Sequence, residues 1–215
     1  LAPLLPPAQL REARALLAGA RAARRITAGR CEVSRREYQA FLNDPLARAG
    51  LFANPQQPAG EDYLPQDWAR QREQPELPVA AISWWAADAF ARWAGGRLPR
   101  AREWRLLAAG PRGLTYPWGN EYDGAAAVTA DSQPPGPRAC AADDLADISA
   151  AGVHHLGGNV SEWTMSIAVD GGNYAMWVQG GNWLLPGRET AYGSFGRLVP
   201  LNHRSPGIGL RVVYD

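Results

Sequence analysis

The sequence predicts a mixed fold, with a few helices in the first half and short strands and long ordered loops in the second. Three observations predict it. Helical periodicity is confined to segments before residue 110, and residues 111–215 are almost free of it. The 215 residues include 23 Gly and 18 Pro, which punctuate turns and irregular chain. Nine Trp are present, and these suit both cores under irregular loops and binding surfaces. Each indole joins a large apolar face to one donor that needs a partner.

A chain of this length buries a real core, as one large domain or two small ones. With 46% hydrophobic and 20% charged residues it is globular rather than disordered. A formal net charge of +1 gives no overall pull towards nucleic acid or acidic membranes, so no nucleic-acid partner is expected. All 22 basic residues are Arg, which biased codon usage explains without any chemical demand for guanidinium. No apolar run reaches the length of a membrane span. Cys31 and Cys140 lie far apart without nearby His, so they form no metal motif; they fit one disulfide or two buried thiols. The opening "LAPLLPP" reads as the start of a mature secreted protein or as the exit from a linker. The compartment stays open, with a secreted or periplasmic location preferred.

Taken in order, "AQLREARALLAGARAAR" (residues 8–24) has a helical stripe of Leu10, Leu16 and Leu17. It reads as an arm that docks on a partner, or as a helix packed on its own domain. "RITAGRCEVS" alternates like a strand, and Ser34 with Glu37 forms a capping box opening the helix "RREYQAFLND". Residues 43–78, punctuated by six prolines from Pro45 to Pro78, read as loop. "VAAISWWAADAFARWAGG" reads as strand, Ser83 cap, helix and a Gly95–Gly96 stop. "RLPRAREWRLLAAG" is a second short helix, begun near Pro99 and ended by Gly110. The chain closes on the strand-like "IGLRVVYD".

These segments resemble the formylglycine-generating enzyme (sulfatase-modifying factor) family. "PVAAISWWAADAFARWAGGRLPRAREWRLLAAG" is similar to the family block around its RLPTEAEW motif. "YPWGNEYDG", "GVHHLGGNVSEW", "VQGGNW" and "GIGLRVV" follow the later signatures in the same order, so the resemblance covers roughly residues 26–215. It implies an α+β domain of the C-type-lectin-like kind, with few helices and a small twisted antiparallel sheet under long ordered loops. Residues 1–25 are then an N-terminal helical arm or linker.

The sulfatase-activating members of that family oxidise a substrate cysteine with two copper-binding cysteines between the GGSW and GFR motifs. The interval Leu184–Gly207 holds no cysteine here; Thr190 and Phe195 fall at the two places. Copper(I) needs a soft thiolate, which neither Thr nor Phe replaces. The resemblance therefore implies the scaffold without formylglycine-generating chemistry. Other relatives also lack the pair. They include iron-dependent sulfoxide synthases, whose metal sits on histidines of a separate helical domain. Three His (His154, His155 and His203) do not supply that motif. Oxidases of siderophore maturation and variable proteins of diversity-generating retroelements complete the set; the last display altered side chains between the GGNW-like and IGLR-like motifs.

The resemblance also implies a calcium loop at "GGNVSEW", carried onto the Gly158 and Val160 carbonyls and the Glu162 carboxylate, because hard oxygen ligands suit Ca²⁺. The usual Asp or Asn is His155, and imidazole is a poor calcium ligand, so the site is weakened. Asn159, Glu162 and Trp163 then pin a buried turn. His154 and His155 do not make a transition-metal pair, since neighbours on a strand face opposite ways. Asp88, Arg102 and Glu103 read as structural. The C-terminal interval differs: Trp183, Arg188, Tyr192, Phe195, Arg197, His203 and Arg204 have the composition of a binding hot spot. No nucleophile–base pair emerges from the spacing, and no catalytic residue is assigned. The expected function is a non-catalytic binding or structural-subunit module. It recognises a protein partner in a larger assembly, or a small ligand, through its C-terminal loops; a retroelement variable protein is a special case. The alternative is a cysteine-independent oxidoreductase of the same family.

Overall fold

The computed structural model describes residues 26–140 and 146–215, so the expected arm over residues 1–25 lies outside the described residues. Helix α1 (Arg35–Asn43) starts at Ser34, whose Oγ accepts from the Glu37 N–H while the Glu37 carboxylate accepts from the Ser34 N–H at 2.7 Å. It buries Tyr38 and Phe41. Asp44 then caps helix α2 (Pro45–Arg48), accepting from the Leu46 and Ala47 N–H groups. Helix α3 (Trp68–Gln71) follows. The segment expected to be pure loop thus holds two single-turn helices, too short to show periodicity.

Helix α4 (Trp84–Trp93) begins at the expected cap, Ser83, and is the core helix. Trp84 through Ala91 are all buried. Tyr38 stacks on Phe90 at 5.4 Å, and Phe41 meets the same ring edge-on at 5.6 Å, locking α1 to α4. Gly96 follows the helix where a side chain would collide with Val212 and the Val213 carbonyl. Helix α5 (Ala101–Ala109) is held at its start by Glu103, which accepts from the Arg100 N–H at 2.8 Å, and stops at Gly110 with φ 64°.

Of the strand expected across residues 25–34, the described residues hold only β1 (Thr27–Ala28), and Val79–Ile82 forms no strand. Their backbone groups are satisfied elsewhere: the Val33 N–H reaches Leu210 O and the Val79 N–H reaches Val33 O. The main sheet comes from the last third of the chain: β2 (Ser161–Asp170), β3 (Asn173–Gln179), β4 (Gly196–Pro200) and β5 (Ile208–Gly209). Its order is β4-β3-β2-β5, antiparallel except for β2 with β5, and β1 pairs with β6 (Val213–Tyr214) in a separate ribbon. At 10 residues β2 is longer than expected, because the Gly171–Gly172 turn lets it fold directly onto β3.

Trp163, Met176, Val178 and Val199 of the sheet pack with Trp84, Trp85 and Ile82 to form the core. The Trp84 indole donates to Thr164 O at 2.8 Å and Trp163 to Ile82 O at 3.1 Å, so the helix and sheet are also bonded through their tryptophans. Cys31 and Cys140 are joined as a disulfide across 109 residues of sequence. Reduction should cost about 4–5 kcal/mol by the loop-entropy relation. Urea unfolding of the oxidised and reduced chain, compared at one pH, measures that difference.

Candidate functional site

The "GGNVSEW" loop forms a buried polar network. Asn159, at φ 65°, donates from Nδ2 to Glu32 Oε1 at 3.0 Å and accepts from the Arg138 N–H at 2.8 Å. His155, at φ 60°, places Nδ1 3.2 Å from Glu32 Oε2. Glu162, fully buried, accepts from Trp104 Nε1 at 2.6 Å and from Arg211 Nη2 at 2.7 Å. Arg211, also fully buried, donates further to Gly29 O and His154 O. His154 is turned away from this cluster, accepting from Arg30 Nε at 2.9 Å, and its ring stands 6.1 Å from that of His155.

The charges here shift in physically distinct ways. Burial opposes ionisation of Glu32, yet His155 and Arg211 beside it hold its carboxyl below the usual range. Burial works against the His155 imidazolium, but Glu32 and Asp147 raise its pKa overall. Asp147 accepts from the Gly157 N–H at 2.8 Å, and burial nonetheless pushes it from the ordinary 3.8 up to about 7. Asp88, Arg102 and Glu103 lie outside this network; Asp88 accepts from Asn54 and Arg92, and Glu103 pairs with Arg97 at 2.7 Å.

The predicted C-terminal residues divide into groups. Short helix α6 (Gly187–Thr190) sends Arg188 over the ring of Tyr122, 4.6 Å from its centroid. Tyr192, just beyond, stacks on Tyr116 at 5.1 Å, and Tyr116 stacks in turn on Trp118 at 5.2 Å. Tyr116, Trp118 and Tyr122 were not singled out as binding residues from sequence; three aromatics within seven residues of "YPWGNEY" were the available signal. Phe195 and Arg197 lie half-buried at the start of β4. Arg197 Nη1 is buried without a hydrogen-bond partner, and burial lowers the guanidinium pKa. Trp183 is half-buried and donates to Pro206 O at 3.0 Å, while His203 sits exposed in a turn. Arg204 belongs elsewhere: it pairs with Glu61 at 3.0 Å and donates to the Asp62 and Leu64 carbonyls, holding the 61–64 loop.

Thr190 and Phe195, where the family's cysteines would stand, are packed into this region; Thr190 is buried with its hydroxyl donating to Pro186 O at 2.7 Å. Neither residue fits a copper ion. Among the described residues, no group of three or more His, Cys, Asp or Glu side chains is placed to hold a metal. A groove of about 570 Å³ lies beside the disulfide, with Phe90, Trp93, Val212 and Tyr214 among its lining residues. None of the predicted binding residues lines it. Among the described residues, no helix is long and apolar enough to cross a membrane.

A few helices packed on a small curled sheet, under loops carrying GGNVSEW and GGNW, define a formylglycine-generating-enzyme-like, C-type-lectin-like domain. The chain belongs to the sulfatase-modifying factor enzyme 1-like domain family, whose model matches residues 22–215. It is 35% identical over 145 residues to the inactive C-alpha-formylglycine-generating enzyme 2 of Mus musculus, covering 62% of this chain and 43% of that relative. The match therefore spans less than half of the relative's length. Among solved structures, CarF superposes with a TM-score of 0.65 at 19% identity, covering 88% of this chain and 86% of CarF. Treponema denticola variable protein 1 superposes at 0.61 and 14% identity, covering 88% and 84%. These two likenesses establish the fold.

Asp147 yields a pH prediction. A carboxyl whose folded pKa is raised contributes stability that is complete below its unfolded pKa and is lost as pH climbs through the folded value. From 3.8 to about 7 the wild type should therefore lose stability relative to Asp147→Asn. Urea melts of both proteins across that interval test it; a difference independent of pH counts against the assignment.

Proposed function

We propose that this domain is a non-catalytic binding or structural-subunit module that recognises a protein partner through its C-terminal loops. The observation that carries this reading is Arg197. Among the described residues its Nη1 is one of two buried side-chain nitrogens without a partner, and no carboxylate answers its charge. Leaving such a donor unmet costs about 1–3 kcal/mol; Nη1 is closed to solvent, so a partner's acceptor would relieve that penalty only if the half-buried side chain turns outward on binding. Phe195, Trp183 and the Arg188–Tyr122–Tyr116–Tyr192 cluster of the same C-terminal loops add the aromatic and arginine composition of an interface hot spot. Thr190 and Phe195 in the family's cysteine places support binding over oxidation, in keeping with the name of the inactive mouse relative. Residues 1–25 are proposed as a second docking arm. The disulfide supports a location outside a reducing cytoplasm.

The test compares partner capture by the intact chain and by a Trp183→Ala, Phe195→Ala, Arg197→Ala variant of matched stability. Loss of at least tenfold in affinity, about 1.4 kcal/mol, is expected. Unchanged capture removes the proposed face, and stoichiometric copper or iron in the purified chain would overturn the non-catalytic reading in favour of the oxidoreductase.

A further inference from the structure

The calcium loop implied by the family resemblance can be tested against the residues this chain places there, and they do not fit the ion. Both Glu162 oxygens are taken. Oε1 accepts from Arg211 Nη2 at 2.7 Å and Nε at 3.0 Å; Oε2 accepts from Trp104 Nε1 at 2.6 Å and lies 3.2 Å from Arg211 Nε. A guanidinium, protonated at any working pH, therefore already neutralises the one carboxylate of the expected ligand set. Position 155 supplies an imidazole in place of an oxygen ligand, and its Nδ1 is engaged with Glu32 and Asn159. That leaves the Gly158 and Val160 carbonyls, whereas Ca²⁺ collects about six to eight oxygens. A divalent ion would also meet Arg211 as a neighbouring positive charge, and the burial of Arg211 and Glu162 leaves that repulsion weakly screened.

We infer that the Arg211–Glu162 clamp, completed by Trp104, takes the structural place of a calcium ion, so that this domain keeps its loop closed without a divalent cation. The clamp ties the same loop to other parts of the chain, as a bound ion would. Arg211 reaches Gly29 O at 2.9 Å and His154 O at 2.7 Å, joining the exit of β1 and the approach to the loop. The inference concerns the scaffold and stands whether or not the C-terminal face binds a protein.

The experiment uses the full chain. Thermal unfolding is followed in EDTA and in added CaCl₂, and terbium is titrated as a luminescent calcium probe, with Trp104 and Trp163 near the loop to sensitise it. The expected result is the same Tm in both buffers and no saturable terbium emission. A calcium site filled with the metal a hundredfold above its Kd would raise Tm by roughly 5–10 °C. Such a rise, or saturable emission, overturns the inference. The clamp itself is read from Arg211→Met, expected to lower Tm by more than about 6 °C equally in both buffers. A Tm within about 2 °C of wild type would sink its structural role. Should that variant fail to fold, Arg211→Lys keeps the charge but loses the two-pronged fork, and the same comparison applies.

Discussion

Glu162 and Arg211 are both withdrawn from water, and each is satisfied by groups that sequence holds far apart. Through them β2 is bonded to the indole of α5, to the chain leaving β1, to the backbone at His154 and to the C-terminal segment. Removing one member of such a pair leaves an uncompensated buried charge, typically about 3–5 kcal/mol. This is a large share of the total stability of a domain. The pair ties the loop entering β2 to segments far away in sequence. The glycines and the strained Asn159 and His155 backbones are tolerated because the network around them fixes their positions.

The layout above that pair separates two kinds of arginine. Arg211, Arg97 and Arg204 are bound to carboxylates and hold segments together. Arg188 and Arg197 belong to the C-terminal interval, one lying over an aromatic ring and one partly desolvated with an unmet donor. The first kind explains how long irregular chain is fixed; the second marks where the molecule has unspent polar capacity.

The three longer helices, α1, α4 and α5, were legible because their signals are local. Ser34 with Glu37, Ser83, and Gly110 each act within a few residues of the helix they begin or end. The strand assignments near residues 26–34 and 79–82 failed for the opposite reason. Beyond Thr27–Ala28, which pair with β6, Val33 and Val79–Ile82 are buried, but their backbone partners lie in distant segments and not in a ladder. Arg204 was grouped with the binding face by composition, whereas its carboxylate partner Glu61 lies 143 positions away. Glu162 was recognised as a special carboxylate, yet Arg211 as its partner required the fold, since they stand 49 positions apart with three strands between them. Aromatics of "YPWGNEY" were visible as a motif, and only packing against Tyr192 made them part of a surface.

Strand β4 forms one outer border of the main sheet, five residues long and ending in Pro200. A proline offers no N–H, so the row of donors along this short border stops at Pro200. Copies of this protein are thereby discouraged from joining edge to edge.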